Sequence, residues 1–116
     1  MEQPTKLFVY GIFLDENMRE MYHMTNPKYD TVKDFATFGS TIVTAQYVPQ
    51  AGLALTGVTV DYDPEQWERL DGLEGGYDRI IIDTTHGERA YMYAEKGIRG
   101  FTNHSTFDFT LSRPQA

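Results

Sequence analysis

Glu74 stands in the run Leu70-Asp71-Gly72-Leu73-Glu74-Gly75-Gly76, four residues after Leu70 and seven after Trp67. If the chain from Pro64 onward is one unbroken helix, that spacing puts the carboxylate on the same inward face as the indole and the leucine. Three effects then favour its neutral form. Burial disfavours the charge. The C-terminal end of the helix dipole resists an acid by about 0.3–1 kcal/mol, and Asp71, three residues earlier, adds like-charge repulsion. A carboxyl held nearer neutrality accepts and returns a proton at working pH, the property of a general acid/base. The alternative is that Gly72 and the Gly75-Gly76 pair unwind the last turn. Glu74 is then a solvated loop residue, paired with Arg69 or Arg79.

A second position with chemical potential is Tyr10-Gly11. The apolar run Lys6-Leu7-Phe8-Val9-Tyr10 reads as a buried strand that ends at Gly11. A glycine directly after such a strand lets backbone N–H groups approach a ligand, and these amides hold an anion or a developing oxyanion. An ordinary strand-ending turn gives the same pattern. The remaining reactive side chains form no constellation. His23, His86 and His104 lack metal-ligand spacing, and His86 reads as a hairpin-turn residue. Ser40, Ser105 and Ser112 lack a nucleophile-elbow context. The absence of cysteine excludes disulfides, thiol nucleophiles and cysteine-ligated metals.

The elements that must carry these residues follow from patterning. Asp15 caps a short helix on which Met18, Met21 and Tyr22 fall at helical spacing, the two methionines as helix core rather than a partner-binding stripe, and Asn26-Pro27 closes the segment. Phe35 to Val48 is rich in β-branched and aromatic residues, with a bulge or bend at Gly39. A turn at Pro49-Gln50-Ala51-Gly52 leads into a strand from Leu53 to Tyr62, apolar on both parities and so buried on both faces. Asp63, Pro64 and Gln66 supply an N-cap, a first-turn proline and a capping-box partner for a helix that stops near Gly75-Gly76. Arg79 to Thr85 and Arg89 to Glu95 form a hairpin around His86-Gly87. Within it Tyr91 and Tyr93 alternate with Ala90, Met92 and Ala94, and the tyrosines are expected to be the more exposed set. Phe107, Phe109 and Leu111 alternate as one last strand. The sum is a strand-dominated α+β chain with two short helices and a curled or barrel-like sheet.

Composition sets outer bounds. With 116 residues the chain is expected to be a single domain spanning 1–116. The formal charge of −7, with lysines and arginines scattered, argues against a nucleic-acid partner. No apolar run approaches the roughly 18 residues needed to cross a bilayer, so no membrane partner is expected. Met1-Glu2-Gln3-Pro4 has no basic or apolar leader pattern, and a cytoplasmic location is the expectation.

Two segments together resemble a known family. Phe8-Val9-Tyr10-Gly11 is similar to the Tyr-Gly motif that opens the γ-glutamylcyclotransferase-like superfamily, which includes γ-glutamylamine cyclotransferases and avirulence-induced plant proteins. Leu70-Asp71-Gly72-Leu73-Glu74-Gly75-Gly76-Tyr77-Asp78-Arg79 is similar to its second motif, a Leu-Asp-x-x-Glu-Gly stretch followed by Tyr, Arg and a strand. Leu55-Thr56-Gly57-Val58 and Ala90-Tyr91-Met92-Tyr93 sit where that family places strands, so the resemblance covers most of residues 6 to 96.

The resemblance implies a small mixed β-barrel with short flanking helices and no cofactor. It implies that Glu74 is the acid/base residue. The loop Tyr10, Gly11, Ile12, Phe13, Leu14 would bind the carboxylate end of a γ-glutamyl group through backbone amides. The partner is then a small-molecule γ-glutamyl amine or peptide, and the protein a monomer or homodimer. In the implied reaction the substrate's α-amine attacks its own γ-carbonyl, giving 5-oxoproline and releasing the attached amine. Tyr77 orients Glu74, lines the pocket or belongs to the core; Arg79 neutralises an anionic substrate or pairs with Asp71. The chain departs from the family in the first motif, where Thr or Ser and then Leu usually follow Tyr-Gly and here Ile12 and Phe13 stand. A non-catalytic module that binds a small metabolite or peptide end on the same fold is the rival reading.

Overall fold

The strands order as β2-β5-β1-β7-β6-β8 in one six-stranded sheet, with β3 and β4 paired apart from it. The structure is a computed structural model that describes residues 4–38, 44–48, 52–63, 77–95 and 107–108. Its elements are β1 (Lys6–Val9), a 3-10 turn (Gly11–Leu14), α1 (Glu16–Met21), β2 (Thr25–Lys33), β3 (Phe35–Phe38), β4 (Thr44–Tyr47), β5 (Ala54–Asp61), β6 (Tyr77–Asp83), β7 (Arg89–Glu95) and β8 (Phe107–Asp108). The class is α+β with a mixed sheet. β1 pairs antiparallel with β5 and parallel with β7, and β8 is parallel to β6. The helix expected from Pro64, the bend at Gly39, and Phe109 and Leu111 of the tail lie outside the described residues. Among the described residues no helix is long and apolar enough to cross a membrane.

Strand pleating sends successive side chains to opposite faces, and here both faces are covered. Phe8, Leu55, Ile80, Ile82, Ala90, Met92 and Ala94 pack with Phe35 of β3 and Ala45 of β4 on one side. Leu7, Val9, Val58, Val60, Ile81, Tyr91 and Tyr93 pack with Met24 and Tyr62 on the other, joined by Phe13 and Tyr22. The expected double-sided burial of β5 is present from Gly57 to Val60. Tyr91 and Tyr93 are the more exposed set of β7, as expected, but only at 4% and 8% against 0% for Ala90, Met92 and Ala94, because their side of the sheet is covered as well.

Two further expectations change around α1. The Asp15 cap is present, its carboxylate accepting from the Asn17 amide at 2.8 Å. The helix ends at Met21, however, and His23 takes a left-handed conformation (φ 59) that stops it. Asn26-Pro27 therefore does not close the helix. It lies inside β2, where the register with β5 shifts between Thr25 and Lys28; a proline without an N–H is tolerated at such an irregularity. Met21 is 67% exposed and not core; the buried residue of α1 is Arg19.

The sheet curls so that its β2 edge meets the β6–β7 turn. The Thr85 amide donates to the Thr31 carbonyl at 2.8 Å, and His86 Nδ1 lies 2.7 Å from the Asp30 carboxylate. Burial pushes the Asp30 carboxyl up, but hydrogen bonds from Thr84, His86 and the Thr31 amide outweigh it and hold the group below its ordinary value. His86 is thus the turn residue expected, with a buried partner. β1 and β5, paired side by side, approach closely at Gly57, where a Cβ would collide with the Val9 carbonyl oxygen and the Phe8 ring.

Candidate active site

β1 delivers Tyr10 to the end of the sheet, where its hydroxyl donates to the Tyr93 carbonyl at 2.5 Å and accepts from the Ala45 amide at 3.2 Å. That pins the ring between β7 and β4 and packs it against the Phe8 side of the core. The Tyr10 side chain is therefore a structural pin, and what it positions is the backbone that follows. Gly11 adopts φ 65, a left-handed conformation that glycine takes without Cβ strain. The 3-10 turn then closes with the Phe13 amide donating to the Tyr10 carbonyl at 3.3 Å and the Asp15 amide to the Ile12 carbonyl at 3.2 Å. The Gly11 and Ile12 amides precede the first of these bonds and have no acceptor within the turn.

The turn's side chains diverge. Ile12 is 63% exposed and Leu14 is also exposed. Phe13 turns back onto the protein, edge-on to Tyr22 with ring centroids 5.4 Å apart. It thereby joins the Tyr91 side of the core.

On the other side of β7 runs β6. Tyr77 pairs with Glu95 and Arg79 with Tyr93. The Arg79 guanidinium lies over the Tyr91 ring, 4.5 Å from its centroid, a cation–π contact. Because β1 is parallel to β7 and β6 antiparallel to it, the end of β1 and the start of β6 lie at the same end of the sheet, flanking the last residues of β7. The structure thus brings Tyr10, Gly11, Ile12, Phe13 and Leu14 to the sheet end from which Tyr77 enters β6. Glu74 lies outside the described residues, and Tyr77 is described through its backbone. Among the described residues no group of three His, Asp or Glu side chains forms a metal site.

One residue here had no signal in the sequence. Arg19 is 8% exposed, and its Nη1 donates to the carbonyls of Phe13 and Leu14 at 2.8 and 2.9 Å. Standing between Glu16 and Glu20, it reads as one member of a solvated helix charge pattern. What draws it inward is a pair of main-chain carbonyls, which spacing does not reveal.

Solved structures with this fold include an uncharacterised protein from Pyrococcus horikoshii (17% identity, TM-score 0.62, covering 84% of this chain and 80% of that one). An Arabidopsis thaliana protein solved in solution is similar too (19% identity, TM-score 0.63, 93% and 79%). So is a structure described as gamma-glutamyl cyclotransferase (17% identity, TM-score 0.58, 81% and 68%). No curated protein is a significant match to the chain. The family described as "Gamma-glutamyl cyclotransferase, AIG2-like" matches residues 7–107, which takes in both the Tyr10-Gly11 strand end and the segment leading into β6. The chain belongs to that AIG2-like gamma-glutamyl cyclotransferase family.

Proposed function

We propose that the protein is a cyclotransferase that releases 5-oxoproline from a small γ-glutamyl amine or peptide, with Glu74 as general acid/base. The substrate's α-amine attacks its γ-carbonyl carbon, the five-membered lactam closes, and the bond to the attached amine breaks. Glu74 takes a proton from the α-ammonium and returns one to the leaving nitrogen, so the protein ends as it began. The nucleophile is already tethered to its target. The enzyme's work is therefore to fix the reactive conformer and move protons. The backbone of Gly11 and Ile12 receives the α-carboxylate, and Tyr77 borders the same space.

The observation that carries this reading is the parallel pairing of β1 with β7, which puts the Tyr10-Gly11 turn and the start of β6 at one end of the sheet. Glu74 precedes Tyr77 by three residues, so chain length alone keeps their Cα atoms within roughly 11 Å. Two strand spacings across β7, about 10 Å, separate β1 from β6. A small substrate bridges such a distance. Family membership and the likeness to a structure described as gamma-glutamyl cyclotransferase support the same chemistry. The Ile12 departure removes a hydroxyl and leaves the amides, so it bears on substrate choice more than on the reaction.

The test is incubation with a panel of γ-glutamyl amines and dipeptides, with 5-oxoproline read by mass spectrometry. At least one member should release it, and Glu74→Gln should lower kcat by about 10²–10⁴. Release from no member, with γ-glutamyl ligands still bound, would establish the non-catalytic binding module instead.

A further inference from the structure

Arg19 is the buried residue of α1, and its side chain is built into the turn. Its guanidinium contacts two neutral main-chain carbonyls, those of Phe13 and Leu14, and makes no ion pair among the described residues. Burying a guanidinium without a carboxylate is costly unless its bonds serve something else. Arg19 is itself rigidly held. Its amide donates to the Asp15 carbonyl at 3.2 Å, and its own carbonyl accepts from Tyr22 and Met24 at 3.2 and 3.0 Å. Met24 is in turn core. A continuous chain of contacts thus runs from the core through Arg19 to the carbonyls of the 3-10 turn.

We infer that Arg19 is the positioning residue of the substrate-carboxylate loop: it locks the Gly11–Leu14 turn and leaves beside it a positive charge that no carboxylate among the described residues cancels. This rests on the cyclotransferase reading for the identity of the ligand. A 3-10 turn beginning at a left-handed glycine is poorly self-stabilised, and charge-assisted bonds to its last two carbonyls remove that freedom. The charge also works against the field of a chain with net −7, which disfavours an anionic ligand overall. A carboxylate gains from that local charge, and the corresponding carboxamide gains nothing. Because the α-carboxylate is unchanged through ring closure, Arg19 stabilises ground state and transition state alike, and its loss falls on KM rather than kcat.

The experiment compares Arg19→Met and Arg19→Lys with the wild type. Steady-state release of 5-oxoproline from γ-glutamylethylamide should show KM raised about tenfold or more in Arg19→Met, with kcat within about threefold. Arg19→Lys, which keeps the charge but loses the planar guanidinium, should fall between them. In a Glu74→Gln background, where the ligand persists, calorimetry with γ-glutamylethylamide and its α-carboxamide should show the acid preferred, that preference lost in Arg19→Met and largely kept in Arg19→Lys, which retains the charge. A merely structural arginine would weaken both ligands equally, and that result overturns the inference, as does an unchanged KM or a fall confined to kcat. If Arg19→Met does not fold, Arg19→Gln, which removes the charge and keeps a donor for the turn's carbonyls, should lose the same acid-over-amide preference, and a preference kept there overturns the inference. Turnover with an unchanged preference refutes the Arg19 role and leaves the enzyme reading intact. Binding with the expected preference but no wild-type turnover refutes the enzyme reading and leaves the Arg19 role intact.

Discussion

Replacing Gly57 by alanine tests how tightly β5 supports the strand that carries the site. An added Cβ would meet the Val9 carbonyl oxygen well inside van der Waals contact, with Phe8 Cζ at 2.5 Å and Cε1 at 2.8 Å. Gly57 is not among the left-handed glycines, so alanine incurs no backbone strain there. Its smaller unfolded-state entropy would by itself stabilise by about 0.4–1 kcal/mol. Sterics oppose that gain. The Phe8 ring can shift only at the expense of a filled core, since Phe8 is 1% exposed. The Val9 carbonyl has less freedom still, because Val9 is paired with Val58 and belongs to the backbone that becomes Tyr10. Overpacking costs about 1–3 kcal/mol when side chains can yield, and a backbone obstacle puts this site at the upper end. The net expectation is a loss of about 2–3 kcal/mol. In urea, with a slope near 1–3 kcal/mol/M, the midpoint should fall by about 1–2 M with the slope unchanged. Adding Phe8→Leu to Gly57→Ala relieves the ring contact and leaves the carbonyl contact, so the two substitutions should couple but recover less than half the loss. A loss below about 0.5 kcal/mol, or full recovery with Phe8→Leu, would refute the backbone part of the reasoning.

Two other substitutions separate scaffold from chemistry. Asp30→Asn should cost about 1–3 kcal/mol at pH 7, since the buried carboxylate accepts from Thr84, His86 and the Thr31 amide. Its folded pKa is depressed, so its contribution is present above the ordinary carboxylate range and lost as pH falls through the folded value. Urea titrations should therefore show the gap between wild type and Asp30→Asn narrowing below about pH 4, and a gap constant down to pH 2 would exclude this linkage. Tyr10→Phe leaves the Tyr93 carbonyl and the Ala45 amide without the hydroxyl they share, a loss of about 1–3 kcal/mol by thermal or chemical unfolding. Release of 5-oxoproline under folding conditions should persist, because the loop is proposed to act through its main chain; abolished turnover in a folded Tyr10→Phe protein would make the hydroxyl part of the chemistry.

What was legible in the sequence was whatever local pattern encodes. The strand before Gly11, the double-sided β5, the β6–β7 hairpin and the Asp15 cap all declare themselves within a few residues. β2 did not. It contains Pro27, Lys28, Asp30 and Lys33, and its buried positions near the end are Asp30 and Val32. A buried aspartate reads as polar, and the partners that make its burial tolerable, Thr84 and His86, lie more than fifty residues away. Arg19 was hidden for the same reason, its inward pull coming from carbonyls, which have no letter in the sequence. The tyrosines of β7 are the more exposed set, as expected, yet they are buried too. Alternation separates two faces, but whether the second face is covered depends on residues elsewhere, here Phe13, Tyr22 and Met24 on either side of α1.

The least local feature is the one on which the site depends. Leu7 stands opposite Tyr91, 84 positions along the chain, in the parallel contact between β1 and β7. β6 runs antiparallel to β7, so its first residues always lie beside the end of β7. Whether Tyr10 joins them depends on the sense in which β1 enters the sheet. Entered parallel, β1 ends beside Tyr93 and its glycine turn opens toward the start of β6. Entered antiparallel, the same strand, equally apolar and equally buried, would carry Tyr10-Gly11 to the opposite end of the sheet. Tyr10-Gly11 and the start of β6 would then be separated by the length of β7. Local propensity does not distinguish these arrangements. Burial of Leu7 and Val9 on one face and Phe8 on the other is satisfied by either sense. The Tyr10 hydroxyl, bonded to Tyr93 and Ala45, is not: both partners lie at the end where β7 finishes. The bonds of the Tyr10 hydroxyl are therefore compatible only with the strand direction that puts Gly11 at the sheet end where β6 starts.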